Sequence, residues 1–283
     1  MILIADSGST KTDWLLTDEE GSRKSVYKTQ GINPFHQDED TISQILLQEL
    51  LPQLKAEEAV VDDVFFYGSG VRPELACTMA KALHHALPSA SHIEANGDLL
   101  GAARGLLGSD AGVACILGTG ANSCLYDGQT IIANTPPLGF ILGDEGSGAV
   151  LGISLINAIY KGRLPQAVID DFEQFTGMTL ADVVDRVYRR PLANRWLASL
   201  SPFIHSHLQI SEVRQLVINN FSLFLTRNVL PYKCENLPVS FVGSIAWYYI
   251  DELKKAVADS GLTWGKVEKS PLEGLAEYHK VFR

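Results

Sequence analysis

Two stretches decide how this chain is read: ILIADSGSTKTDWLLTDEEG at residues 2–21 and AGVACILGTGANSCLYDGQT at residues 111–130. Each is an apolar run, a loop of glycine and small hydroxyl residues, a second apolar run, and a turn containing Asp. Short apolar runs bounded by turn residues are strand signals. Both stretches are therefore predicted to be hairpins, the second strand of the first being followed by a turn at residues 18–21. They begin more than 100 residues apart, one near the head of each half of the chain. A pattern repeated at that distance predicts an internal duplication.

The loop DSGSTKT at residues 6–12 is a candidate nucleotide loop, and three templates compete for it. A Walker A loop needs a glycine directly before its lysine, and here Thr10 precedes Lys11. A dinucleotide loop needs three spaced glycines opening a helix, but only Gly8 is present and DWLLTD reads as strand. The hairpin tip remains. It presents backbone N–H groups and the hydroxyls of Ser9, Thr10 and Thr12 to an anion, with Gly8 easing the turn. Asp6 at the loop base would repel a phosphate but can hold Mg²⁺, chiefly through water. Taken alone, such a loop reads better as a plain polar turn. The second loop, at residues 118–122, shifts the reading toward two loops that clamp one triphosphate.

The bulk numbers fit two domains or one large one: 283 residues, 46% hydrophobic and 20% charged. A net charge of −10 argues against a polyanionic partner, so no nucleic acid is expected. The N-terminus has no basic region ahead of its short apolar run, and no stretch approaches 18 apolar residues. Neither a signal peptide nor a membrane span is expected. Cys77, Cys115, Cys124 and Cys234 form no C-x-x-C pair, and the seven histidines do not combine with them. Structural zinc and a disulfide framework are not expected, and the reduced thiols point to a cytoplasmic protein.

Between the hairpins, residues 42–54 and 72–87 carry helical spacing, and residues 63–70 read as a strand. Residues 91–108 read as strand, turn and helix. The second half is more helical, with helices over 146–162 and over 212–230, the latter stopped before Pro231. Residues 238–257 read as a strand, a Gly-Ser turn and a helix, and the tail 270–283 as a final helix.

Six segments in chain order carry a family resemblance: DSGSTKTDW (6–14), GINPF (31–35), NGDLLGA (96–102), ILGTGANS (116–123), LGFILGDEGSG (138–148) and FVGSIA (241–246). The chain resembles the BadF/BadG-type ATPase family that includes N-acetylglucosamine kinases, within the sugar kinase/Hsp70/actin superfamily. The segments are spread from residue 6 to residue 246, and the pairing of LGTGANS with GDEGSG is the most specific signal. The resemblance implies an α/β fold of duplicated ribonuclease H-like domains with an interdomain cleft that closes on the sugar. Domain one would be residues 1–106 plus the returning tail 271–283, and domain two residues 107–270. It implies ATP and Mg²⁺, and a small-molecule sugar as acceptor. N-acetylglucosamine phosphorylated at O6 leads, with N-acetylmuramic acid and glucosamine as alternatives. A homodimer is implied by the resemblance alone. A second function class stays open: other BadF-type ATPases activate a partner enzyme and carry a [4Fe–4S] cluster on cysteine thiolates. Their cysteine motifs are not evident here.

The same resemblance assigns roles. Asp98 would be the general base; taken alone it reads as a helix N-cap. The two readings agree, because a helix N-terminus favours an ionised carboxylate. Gly8, Ser9 and Thr10, with Lys11 ranked behind them, would face phosphate, as would Gly118, Thr119 and Gly120. Ala121 and Asn122 would face the sugar. Asn33, otherwise a turn residue before Pro34, would contact the sugar too. Asp144 would hydrogen-bond the sugar, while Glu145 stays open between sugar, Mg²⁺ and structure. Taken alone, both acids are ordinary partners of the following helix dipole. Gly243 and Ser244 would flank the adenosine, and without the family they are a strand-to-helix turn. Asp6 would be the metal ligand.

Overall fold

The computed structural model describes residues 1–8, 10–18, 24–234 and 236–281. The chain divides into two compact units. The first is Met1–Asp110 with Gly128–Thr130 and Ser270–Arg283; the second is Ala111–Asp127 with Ile131–Lys269.

The first unit is built on β1 (Ile2–Ser7), β2 (Lys11–Thr17), β3 (Lys24–Gln30), β4 (Asp63–Gly68) and β5 (His92–Gly97). They form one sheet in the order β3-β2-β1-β4-β5. β1 pairs antiparallel with β2 and parallel with β4. Its near-continuous apolar run reflects burial on both faces. With a period of two, Leu3 and Ala5 enter the cluster holding Trp14, Phe66 and Met79. Ile2 and Ile4 enter the opposite cluster with Phe65, Tyr67 and Leu275. Helices Glu39–Ile45 and Pro73–Ala86 supply the first cluster. The C-terminal helix Leu272–Val281 supplies much of the second.

The second unit repeats this plan. β6 (Gly112–Leu117), β7 (Ala121–Tyr126), β8 (Ile131–Asn134), β9 (Pro238–Val242) and β10 (Thr263–Glu268) lie in the order β10-β9-β6-β7-β8. β6 again pairs antiparallel with the following strand and parallel with β9. Strand for strand, order and direction match the first sheet, so the duplication read from the two hairpins is present in the topology. This is the duplicated α/β, ribonuclease H-like arrangement expected from the sequence. Helices Gly148–Tyr160, Ser211–Phe224 and Ile250–Asp259 contribute to its core around Leu117, Phe221 and Phe241.

Several local readings change. β5 runs straight into helix Asp98–Leu107 with no turn between them. The helix expected over 42–54 starts at Glu39, because Asp38 caps it by accepting from Thr41 N–H, and it contains a π-turn at Leu46–Leu50. The helix expected over 146–162 is Gly148–Tyr160, with Ser147 as its cap. The one expected over 212–230 is Ser211–Phe224, followed by a π-turn Leu225–Val229 and a 3₁₀ turn Leu230–Tyr232 that contains Pro231. After β9 there are two helices, Ser244–Tyr248 and Ile250–Asp259, rather than one. The turn expected at 18–21 falls mostly outside the described residues, and so does Ser9.

Candidate functional site

In the first unit the site is assembled around the β1–β2 tip. Gly8 N–H donates to Lys11 O at 3.0 Å and closes the loop. Added side-chain atoms at Gly8 would meet nothing nearer than 3.8 Å, so glycine is not sterically demanded there. Thr10 is exposed, and its carbonyl accepts from Gly31 N–H at 3.1 Å. Thr12 departs from its reading as an anion donor. It is fully buried, its hydroxyl 2.6 Å from Ser7 Oγ and 3.2 Å from Gln30 O. Ser7 Oγ in turn donates to Ile32 O at 2.9 Å and accepts from Ile32 N–H at 3.1 Å. Ser7 and Thr12 thus tie the loop to the segment that carries Asn33.

Asn33 forms an Asx turn, its Oδ1 accepting from Phe35 N–H at 2.9 Å. Its carboxamide lies against Gly70, where a Cβ would sit 2.0 Å from Asn33 Oδ1. Gly70 has φ +80°, so both conformation and space reserve that position for glycine.

Asp6 faces Asp13 in the β1–β2 register. Burial first, then the charges of Asp98 and Asp13, push the Asp6 carboxyl up to about 7 against the opposing pull of Lys11 and a hydrogen bond from Ser270. Lys11 is exposed and pairs with Asp13. Asp98 is the first residue of its helix, with Gly97 as N-cap. The residue is half-buried, and crowding by protein raises its carboxyl to about 6, although hydrogen bonds from Leu99 N–H and its own N–H oppose the rise. The helix behind it is seated closely: a Cβ at Gly101 would lie 2.7 Å from the Tyr67 side chain. At Gly105 a Cβ would meet Pro271 O at 2.7 Å.

In the second unit, the 118–120 loop is fastened to the next helix. Gly148 N–H donates to Gly118 O at 2.8 Å and Ala149 N–H to Thr119 O at 3.2 Å. These are orphan donors of the helix N-terminus, so loop carbonyls satisfy them rather than an anion. Gly243 follows β9 as the N-cap of the next helix with φ +117°, and a Cβ there would stand 2.4 Å from Leu117 O. The strand-to-helix turn can pass the root of the loop only as glycine. Ser244 follows, exposed, as the first residue of its helix.

Asp144 adopts φ +53°. Its N–H donates to Pro137 O at 2.8 Å. Its carboxyl accepts from Ala121 N–H and Gly139 N–H, yet burial, joined by the Glu145 charge, raises it to about 6. A Cβ at Gly120 would lie 3.1 Å from Asp144 Oδ2. Asp144 is thus brought against the loop that holds Gly120, Ala121 and Asn122. Glu145 points elsewhere. Arg227 Nη1 donates to its Oε1 at 2.6 Å and Asn228 Nδ2 to its Oε2 at 3.3 Å, and those donors hold its carboxyl low despite burial. Asn122 Oδ1 accepts from Ser123 N–H and from Asn134 Nδ2, each at 2.9 Å.

Sequence reasoning gave no role to Ser7 and Asp13, although both lie within DSGSTKTDW, and missed Ser270, Asn134, Asn220, Arg227 and Asn228, polar residues outside the quoted motifs. Asn220, 3% exposed, accepts from Gly146 N–H and donates to Ser147 O. Its place in an apolar-periodic helix was the one available signal. A hollow of about 490 Å³ beside helix Pro73–Ala86, lined by Cys77, Lys81 and His84 among others, includes none of the candidate residues. Among the described residues no three His, Cys, Asp or Glu side chains converge to hold a metal alone, and no helix is long and apolar enough to cross a membrane. Cys115, Cys124 and Cys234 are buried, and burial pushes the Cys124 thiol up to about 12.

No protein-family model and no curated protein matches the chain. Solved structures do, and two of them bear the name "putative N-acetylglucosamine kinase". The one from Porphyromonas gingivalis is 49% identical over 99% of both chains, with a TM-score of 0.96. The one from Chromobacterium violaceum is 19% identical over 98% of both chains, with a TM-score of 0.76. A ROK hexokinase from Thermus thermophilus aligns at 14% identity over 98% of this chain and 97% of its own, with a TM-score of 0.51. The latter two likenesses are of fold. With nearly half of its residues shared along 99% of both chains with the P. gingivalis protein, the chain belongs to the N-acetylglucosamine kinase-like family.

Proposed function

We propose that this protein is an ATP-dependent kinase of an amino sugar, with N-acetylglucosamine phosphorylated at O6. The observation that carries the reading is Asp98. A half-buried carboxyl at the start of a helix, raised to about 6, is ionised at neutral pH and still basic enough to take a proton. The acceptor hydroxyl gives its proton to Asp98 as its oxygen bonds to the γ-phosphorus. The bond from that phosphorus to the β–γ bridging oxygen breaks, and ADP leaves. Positioning and electrostatics supply most of the acceleration in such transfers.

On the first unit, Gly8, Ser9 and Thr10 would face phosphate, with Lys11 a weaker candidate because it is engaged with Asp13. Asn33 would contact the sugar. On the second unit, Gly118, Thr119 and Gly120 would face phosphate, Gly243 and Ser244 the adenosine, and Ala121, Asn122 and Asp144 the sugar. Asp6 fits a Mg²⁺ ion: its carboxyl is held near Asp98 and Asp13, an excess of negative charge that a divalent cation corrects. One carboxylate, waters and ligand phosphates suit Mg²⁺, which keeps much of its hydration shell. When bound, the ion would neutralise charge on the transferred phosphoryl group.

The test is ADP release from Mg-ATP with N-acetylglucosamine, N-acetylmuramic acid, glucosamine, N-acetylmannosamine and glucose. Strong stimulation by N-acetylglucosamine, with the 6-phosphate as product, is expected. Hydrolysis indifferent to every sugar would sink the kinase reading in favour of an activator-type ATPase.

A further inference from the structure

Three segments of the second unit converge on one buried residue, Asn228, 6% exposed in the π-turn Leu225–Val229, two on its backbone carbonyl and one on its side chain. Its backbone carbonyl accepts from Ser123 Oγ and from Thr135 Oγ1, each at 3.1 Å. Its Nδ2 donates to Glu145 Oε2 at 3.3 Å. The turn is wide: Leu230 N–H bonds Leu225 O, five residues back, and a 3₁₀ turn follows. Such a break in the regular ladder is a recurring feature of functional helices. Here it leaves the Asn228 carbonyl aimed at side-chain hydroxyls. Tyr232 closes the group, its hydroxyl donating to Ser123 O at 2.9 Å and accepting from Thr135 N–H at 2.8 Å.

Each segment so held adjoins an acceptor candidate. Ser123 follows Asn122, and Glu145 follows Asp144. Thr135 follows Asn134, the residue that donates to Asn122 Oδ1. The Asn122 oxygen is taken by two donors, one of them the backbone N–H of Ser123, so the carboxamide cannot be turned around. Its NH₂ would then be the group offered to a ligand. Both Glu145 oxygens are bound by Arg227 and Asn228, which makes Glu145 the anchor of the Asp144 turn.

We infer that Asn228 is a positioning residue that sets Asn122 and Asp144 relative to one another. The acceptor then meets an amide donor beside a carboxylate, a pairing for an oxygen that accepts from Asn122 and a hydroxyl that donates to Asp144. The inference rests on the reading that these two residues bind the sugar.

Two variants test it on the full chain. Asn228→Ala removes the bond to Glu145, and Ser123→Ala with Thr135→Val releases the carbonyl. Hydrogen exchange should quicken by about tenfold at residues 118–126 and 137–146 together in each variant, with 238–246 unchanged. Change confined to 225–232, or spread evenly over the unit, overturns the inference. In kinetics, the acceptor KM should rise about tenfold while the KM for ATP stays within about twofold. Equal movement of both constants would mark a merely structural role and also overturn it. A wild-type protein that phosphorylates no sugar would defeat the kinase reading, and the exchange pattern would then decide the role of Asn228 by itself.

Discussion

As the proposed base, Asp98 must be ionised to accept a proton, and its surroundings resist that ionisation. Asp98→Asn should lower kcat by roughly 10²- to 10⁴-fold with nucleotide binding retained, measured by coupled ADP release and by nucleotide titration. The wild-type rate should fall as pH drops through about 6, where Asp98 protonates, and the variant's residual rate should fall less steeply there, keeping only the part that Asp144 and Asp6 contribute. Stability moves the other way. The folded pKa lies above the unfolded value of 3.8, so the folded state binds more protons between pH 4 and 6, and stability declines as pH rises through that window. The ionised carboxyl costs at most roughly 3 kcal/mol, less where solvent reaches it. Without metal or nucleotide, Asp98→Asn should therefore melt several degrees above wild type at pH 8 and close to it at pH 4. Gly70→Ala probes the other ligand: its Cβ would fall 2.0 Å from Asn33 Oδ1. The acceptor KM should rise about tenfold with the KM for ATP unmoved; an unchanged acceptor KM would remove Asn33 from the sugar site.

Among the elements, junctions decide the site more than helices and strands do. β9 reaches its helix through Gly243 at φ +117°, tight against Leu117 O. Gly243→Ala must push the two segments apart or leave the left-handed region, at a cost of about 2 kcal/mol or more. Because Leu117 leads directly into the 118–120 loop, the variant should lose nucleotide affinity as well as melting temperature, checked by titration and calorimetry. Loss of stability with nucleotide affinity intact would separate Gly243 from the nucleotide. The junction of β5 with the Asp98 helix shows why a strand-turn-helix pattern was expected there and not found. Gly97 keeps extended backbone at φ −66°, ψ 148° and serves as the N-cap itself, so no turn residue intervenes. β3, with KSVYKTQ, carries weak alternation and acquires its strand from pairing with β2, a partner that local sequence does not reveal.

At the scale of the molecule, the tail matters most. Leu272, Leu275 and Ala276 complete the core around Ile2, Ile4 and Phe65, although they lie more than 200 residues further along the chain. The same helix brings His279 onto the Phe65 ring at 3.6 Å, with its Nε2 2.9 Å from Tyr67 Oη. Burial, then the Arg104 charge, lowers His279 to about 4. Its folded pKa lies below the unfolded value of 6.5, so it is buried neutral, and its contribution is present above pH 6.5 and lost as pH falls toward 4. His279→Gln should flatten that acid-side loss, read as a wild-type-minus-variant difference in melting temperature that shrinks from pH 7.5 to pH 4.5. A constant difference would mean that His279 titrates normally.

Local pattern was enough for the two hairpins, the duplication they announce, the family, and the segments from which a site could be drawn. Strand runs and glycine-rich tips are short-range features, and their physics is contained in a few consecutive residues. Tertiary structure alone decided what each polar group has left to offer. It buried the Thr12 hydroxyl against Ser7, turned Glu145 toward Arg227 and Asn228, and set Asp144 against Gly120. It also placed Asp13 and Ser270 beside Asp6. Hydrogen-bond capacity and proton affinity depend on partners brought in from distant parts of the chain, and no local reading of residue types contains them.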